Sequence, residues 1–328
     1  MISAERLTKR FGTFTAIENV SFEVAAGEVV GFLGPNGAGK STTMRILAGV
    51  FPPSSGQVRV AGHDVVRQPL AARAAVGYSP ERVSLYADMS VRHYLTYVGE
   101  MKSLARRAAR RDADAAMASC SLEPVARRLI GTLSKGFRQR VGIAQALVGA
   151  PRVLILDEPT AGLDPEQVAD MRTLVRDLRR ERTVILSTHI LSEVEATCDR
   201  VIIIHRGRVV ALDTPANLNR RLRQRGQIVL DVRGPRAAVL AALRAEPGVL
   251  AVEGAAADDA EDAVVALVTT APERDLREAI AAAVARHGWG LRELRPHTLT
   301  LEEIFLTLTA DTPNAVPPSA VPPGSVPE

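Results

Sequence analysis

The sequence predicts an α/β domain built on a mostly parallel sheet with helices on both faces and an antiparallel N-terminal layer, followed by a smaller α+β unit. Three observations predict it. Short apolar runs alternate with segments of helical spacing over about the first 220 residues. A glycine-rich loop at residues 34–42, GPNGAGKST, joins the apolar run 28–33 to the helical spacing of 43–48. Beyond about Arg225 the alternation restarts as two consecutive strand–helix–strand patterns.

Composition bounds the rest. A chain of 328 residues, 46% hydrophobic and 24% charged, can bury a large core and divides naturally into two domains. The net charge of +4 is carried by an arginine-rich chain whose only lysines are Lys9, Lys40, Lys102 and Lys135. So small an excess does not imply nucleic acid, and none is expected as a partner. Cys120 and Cys198 are too few and too isolated for a disulfide framework, which suits a reducing cytosol. The opening MISAERLTKR carries charges where a signal peptide would have its apolar stretch, and no run of about 18 apolar residues could span a membrane.

In order, residues 2–8 and 20–24 read as strands, as do 57–60 and 75–79. From Ser90 the apolar spacing becomes three and four, and residues 104–118 continue helical; Arg106, Arg107, Arg110 and Arg111 along that stretch read as a solvated face. A loop at 131–136 leads to a helix expected from about Phe137 to Val148. The wholly apolar strand 153–156 ends on Asp157-Glu158, and Pro165 suits the first turn of the next helix. Residues 183–187 form a strand with His189 at its C-terminal end, and 201–204 and 208–211 are strands about Arg206-Gly207. In the second unit, 227–232, 248–252, 263–268 and 290–294 read as strands and 235–243 and 273–286 as helices, a ferredoxin-like arrangement over 226–310. A last helix is expected at 299–309, with Thr300 and Glu303 spaced as a capping box. Residues 311–328, rich in Pro, Ala and Ser, read as a disordered tail.

The loop fits G-x-x-x-x-G-K-[ST] and has the flanks that pattern needs. Gly34, Pro35, Asn36, Gly37, Ala38 and Gly39 let the backbone wrap round an anion at a helix start. Lys40 supplies a point charge for β- and γ-phosphates, and Ser41 a hydroxyl for Mg²⁺. A bound nucleoside triphosphate follows. An aspartate at the tip of a buried strand, Asp157, can hold Mg²⁺, and the adjacent Glu158 can polarise a water for attack on the γ-phosphate.

The runs LSKGFRQRVGIAQALVGAPRVLILDEPTAGLDP (133–165) and STHILSEVE (187–195), with the phosphate loop, resemble the ATP-binding cassette (ABC) ATPases. Within them the chain is most similar to cassettes of ABC-2 type exporters, including those of drug-export and gliding-motility type. The resemblance covers about residues 1–220, with a helical subdomain at about 82–150. It implies a P-loop NTPase fold of the ABC type and ATP and Mg²⁺ as the ligands. By that resemblance Phe11 stacks on adenine, Thr42 joins Lys40 and Ser41 at the phosphates, Glu158 is the catalytic base and His189 the switch histidine at the γ-phosphate. Asp157 and Ser41 belong to the magnesium shell. Glu81, where the family commonly has glutamine, contacts Mg²⁺ and nucleotide. Ser134 and Gly136 match the signature loop, in which Lys135 and Phe137 replace a usual glycine and glutamine, and Asp164 falls at a dimer interface.

The resemblance further implies an ATPase that forms a head-to-tail homodimer around ATP. It powers separate ABC-2 type transmembrane permease subunits, docked at about 81–134, at the cytoplasmic face of the plasma membrane. Export of a drug, lipid or other small molecule is the expected work. A soluble ABC-type ATPase acting on ribosomes or DNA is the alternative, but those relatives usually carry two cassettes or a long coiled-coil insert. A GTPase is disfavoured because no N-K-x-D stretch follows the phosphate loop.

Overall fold

A computed structural model describes residues 1–179, 181–218, 226–256, 263–271 and 275–297. The chain forms two compact units that divide between Asp213 and Thr214. The expected helix at 299–309 and the tail at 311–328 lie outside the described residues.

The first unit opens with a hairpin, β1 (Ile2–Phe11) and β2 (Phe14–Val24), which reaches further toward its turn than the sequence indicated. Pairing continues through Lys9↔Ile17 and Arg10↔Thr15 to Phe11↔Phe14. At the tip, residues 11–14, both faces meet solvent, so no alternation of apolar residues marks the strands there. With β4 (Ser55–Val60) and β5 (His63–Asp64) the hairpin makes an antiparallel sheet of order β2-β1-β4-β5.

The second sheet runs β10-β9-β3-β8-β7-β6. Its members are β3 (Val29–Leu33), β6 (Val76–Ser79), β7 (Val153–Asp157), β8 (Thr183–Thr188), β9 (Arg200–His205) and β10 (Arg208–Asp213). All neighbours are parallel except β9 and β10. These strands read as unbroken apolar runs because both faces are buried. Val30, Phe32, Ile155 and Ile185 pack with α1 (Lys40–Leu47) and the inner face of the antiparallel sheet. Val29, Leu154, Leu156 and Leu186 pack instead with α3 (Val91–Met101), α4 (Arg106–Ser119), α5 (Lys135–Leu147) and α6 (Pro165–Leu178). A short α2 (Pro69–Ala74) precedes β6, and α7 (Leu191–Thr197) follows β8. On α4, Ala109, Ala113, Ala116 and Met117 turn inward while the four arginines stay exposed. Helix α5 starts at Lys135, two residues before the sequence suggested, because Ser134 caps it.

The parallel strands all point their C-terminal ends the same way, and the strand order reverses about β3. That edge is where an open α/β sheet offers a crevice for ligands.

The second unit holds β11 (Gly226–Arg233), α8 (Arg236–Ala245), β12 (Val249–Ala256), β13 (Ala263–Thr270), α9 (Arg277–Arg286) and β14 (Gly290–Pro296). Its antiparallel sheet has the order β12-β13-β11-β14, a split β-α-β-β-α-β arrangement. Leu230, Val232 and Val268 from the sheet and Val239, Leu243 and Ile280 from the helices form its core. Helix α9 begins at Arg277, four residues later than the expected Glu273.

Candidate active site

The loop between β3 and α1 is shaped by its glycines. A Cβ on Gly34 would lie 2.3 Å from the Ile204 carbonyl oxygen, and one on Gly39 would lie 2.7 Å from the Ile17 side chain. Gly39 also has φ +105°, a conformation that residues with a Cβ avoid. Helix α1 starts directly after it with no side-chain cap, so its first N–H groups remain available to an anion.

Lys40 is 5% exposed, and a buried ammonium needs partners. Its Nζ donates to the carbonyls of Gly34 (2.8 Å) and Pro35 (3.2 Å) and stands 3.2 Å from Glu158 Oε1. The other carboxylate oxygen of Glu158, Oε2, is 2.9 Å from His189 Nδ1. Glu158 is itself 6% exposed and holds φ +48°, costly for a residue with a Cβ. Its N–H donates to Ser187 Oγ (2.9 Å), and Ser187 Oγ donates to Asp157 Oδ1 (2.6 Å). Ser41 Oγ donates to the same Asp157 oxygen at 3.1 Å. On the adjacent strand, burial and then the charge of Asp157 push the Tyr78 hydroxyl above its ordinary value, so it stays protonated beside the carboxylate.

These groups line a cleft of about 430 Å³, a size that suits a small-molecule ligand. The structure brings Asn36, Gly37, Gly39, Lys40, Ser41, Thr42, Glu81, Glu158 and His189 to its wall, with Asp157 behind Ser41. Gly34, Pro35 and Ala38 form the back of the loop, where Ala38 N donates to the Pro35 carbonyl.

Phe11 is placed elsewhere. Its ring meets Phe51 edge-on at 5.6 Å, with Lys9 Nζ over both rings, and it is not among the cleft's lining residues. The phenylalanine on the cleft wall is Phe14, its partner across the hairpin turn, 65% exposed. A ring beside a turn could have been either by sequence alone, because only strand pairing decides which one faces the loop.

Ser134, Gly136 and Asp164 are likewise not among the cleft residues. Ser134 caps α5, accepting from Phe137 N at 3.4 Å, and Asp164 caps α6, accepting from Gln167 N at 2.8 Å. Lys135 Nζ lies over Gly162, 2.1 Å from where a Cβ there would sit, so its charge is placed on the loop before Asp164. Phe137 packs against the helical core, which accounts for an apolar residue in that position.

Sequence reasoning missed four polar residues that tie the ends of β7 and β8 together: Ser187, Thr188, Thr160 and Glu193. The signal was the run Ser187-Thr188-His189 closing an otherwise apolar strand.

The donor set suits Mg²⁺. A hydroxyl and a carboxylate from Ser41 and Asp157 converge at the foot of the loop, and Glu81 adds a second carboxylate on the wall. Hard oxygen donors few enough to leave room for phosphate oxygens are what that ion takes.

Comparison with known proteins agrees with this geometry. The family described as ABC transporter matches residues 17–161. The linearmycin resistance ATP-binding protein LnrL of Bacillus subtilis (strain 168) is 33% identical over 313 residues, 95% of this chain and 99% of that protein. The daunorubicin resistance ATP-binding protein DrrA3 of Streptomyces coeruleorubidus is 33% identical over 315 residues, 94% and 96% of the two chains. Among solved structures, an ATP-binding subunit of an ABC transporter superposes with TM-score 0.60 at 30% identity, covering 68% of this chain and 93% of that one. CbiO1 of Clostridium perfringens, part of an ABC transporter complex, superposes with TM-score 0.61 at 29% identity, covering 68% and 94%. These relatives support the transporter reading over the alternative of action on ribosomes or DNA. The chain belongs to the ABC transporter family, as one of its ATP-hydrolysing ATP-binding subunits.

Proposed function

We propose that this subunit hydrolyses Mg-ATP between two copies of itself and passes the resulting closure to an ABC-2 type permease that exports a drug-like molecule. The single observation that carries the reading is the Glu158 carboxylate, fixed between Lys40 Nζ and His189 Nδ1 at the mouth of the phosphate loop.

The triphosphate lies on the α1 N-terminus with Lys40 at its β- and γ-phosphates. The adenine rests on the hairpin tip, where Phe14 lines the cleft and Phe11 is its partner across the turn. Ser41, Asp157 and Glu81 are the residues that would hold Mg²⁺, which when bound offsets charge on the phosphate oxygens. Glu158 accepts a proton from the attacking water, the general-base step. His189 stands on the cleft wall toward the γ-phosphate position while its Nδ1 holds Glu158 in register. Replacing Glu158 by Gln keeps the shape and removes the base. The expected result is ATP binding retained and turnover lost; unchanged turnover in steady-state phosphate release would overturn the assignment.

ATP-binding subunits of this family dimerise and act with transmembrane permeases. Here the cleft contains no signature residue, and the exposed Ser134, with Gly136 in the same loop, meets the nucleotide of a second, head-to-tail copy, with Asp164 at the joint. Glu158→Gln protein at saturating Mg-ATP should run as a dimer in light scattering, and a monomer would count against it.

A few residues beyond Glu81 in the chain, Leu85 and Tyr86 line an apolar groove with Tyr94, Tyr97 and Met101. Tyr86 is 53% and Met101 68% exposed. Exposed aromatic and methionine surface of this kind marks a protein partner, and we assign it to a cytoplasmic loop of the permease. No helix among the described residues is long and apolar enough to cross a membrane. We assign attachment, at the cytoplasmic face, to the permease. The resistance names of LnrL and DrrA3 favour export of an antibiotic-like cargo.

A further inference from the structure

The catalytic reading leaves one buried carboxylate unused. Glu193 lies in the first turn of α7 and is 5% exposed. Its Oε2 accepts two hydroxyl hydrogen bonds, from Thr160 Oγ1 at 2.8 Å and from Thr188 Oγ1 at 2.7 Å. Thr160 stands two residues after Glu158, and Thr188 immediately before His189. One oxygen atom therefore joins the two loops whose side chains meet 2.9 Å apart in the cleft.

The hold on each loop is specific. On the β8 side, the Thr188 hydroxyl donates to Glu193 and also accepts from Ile190 N at 3.1 Å, so the chain is pinned on both sides of His189. Packing does not do this, since the His189 side chain is 46% exposed. On the β7 side, Ala161 N donates to the Glu158 carbonyl and Leu163 N to the Thr160 carbonyl, a tight turn running on toward Asp164. Glu158 at its start holds φ +48°, and such a conformation persists only where its surroundings over-determine it. Stability does not explain the carboxylate either. Burying an ionisable group costs desolvation, which its hydrogen bonds offset but do not turn into a gain.

We propose that Glu193 is a positioning residue: it clamps the loop after β7 to the end of β8 and so fixes the distance between the Glu158 carboxylate and the His189 imidazole. It is not among the residues that line the cleft. Its effect reaches the reaction through geometry, where a displacement of about 1 Å at the reacting groups can cost on the order of 10²-fold in rate. The same clamp governs the path from Glu158 to Asp164, so the turn that reaches the other copy moves with the base.

This rests on Glu158 being the base. The test is steady-state ATP hydrolysis by the full chain, with ATP affinity and melting temperature measured alongside. Glu193→Ala, and independently the near-isosteric double variant Thr160→Val/Thr188→Val, should lower kcat by about 10- to 100-fold while KM stays within about twofold. Glu193→Gln should stay close to the parent, because an amide carbonyl can accept both hydroxyls. Glu193→Asp, one methylene shorter, should behave as Ala does. Unchanged kcat in Glu193→Ala and in the double valine variant overturns the clamp. So does a loss carried by KM or by ATP affinity, or a Gln variant as impaired as Ala. If Glu193→Ala does not fold, the double valine variant alone decides. Glu158→Gln separates the two readings: activity there removes the base assignment, whereas an inactive Glu158→Gln with an active Glu193→Ala removes only the clamp.

Discussion

Helices α1 and α5 make opposite use of the same physics. Each begins on a turn rich in small residues and presents N–H groups that favour an anion. At α1 the cap is Gly39, with no side chain in the way, and the chain's own Lys40, Asp157, Glu158 and His189 surround the helix end. At α5 the cap is Ser134, whose hydroxyl turns back to Phe137 N; Ser134 and Lys135 are exposed, while Leu133 and Gly136 are buried. A helix end becomes a reaction site only where neighbouring strands deliver charged groups to it. The first end has them and the second does not; in the proposed head-to-tail pair the second would meet the nucleotide of another copy.

The contrast can be broken most forcefully at Glu158. If α1 carries the reactive groups, Glu158→Gln should cut turnover by about 10²- to 10⁴-fold with little change in ATP affinity. Removing Lys40 should act differently. Lys40→Ala should abolish tight ATP binding and leave Glu158 buried beside a lost cation, destabilising the chain by about 3–5 kcal/mol in a urea melt.

At α5 the expected pattern inverts. Ser134→Ala should leave ATP binding to a single chain within about twofold, yet lower turnover at least about tenfold, because only the closed pair hydrolyses. A Ser134→Ala chain that turns over normally would erase the distinction between the two helix ends.

Smaller effects sharpen it further. Phe14→Ala should raise the KM for ATP about 2- to 13-fold, the worth of one aromatic stack at ~0.5–1.5 kcal/mol. Phe11→Ala, whose ring is committed to Phe51, should raise it less. If Phe11→Ala proves the more damaging, the hairpin tip rearranges when nucleotide enters. Within one chain, Asp164→Ala removes the α6 cap and costs about 1 kcal/mol of stability, read as a shift in the urea midpoint.

Much of this was legible before the structure. Gly34, Lys40, Ser41, Asp157 and Glu158 lie in short contiguous patterns, and a phosphate loop is a local device whose requirements are written into adjacent residues. The apolar strands declared themselves because both faces are buried. The reach of the first hairpin did not, because its tip is solvated on both sides and pairing there follows from register alone.

The amino-acid sequence by itself determined the glycine loop that leads into α1 and the acid pair that ends β7, since backbone conformation and charge there depend on near neighbours. Only tertiary structure decided which phenylalanine lines the cleft, that Lys135 rests on Gly162, and that Glu193 holds Thr160 and Thr188 with one oxygen. Those contacts join segments separated by several to tens of residues. Hydrogen bonds act over about 3 Å, so which distant groups meet is fixed by how the strands are ordered in the sheet and by no local pattern.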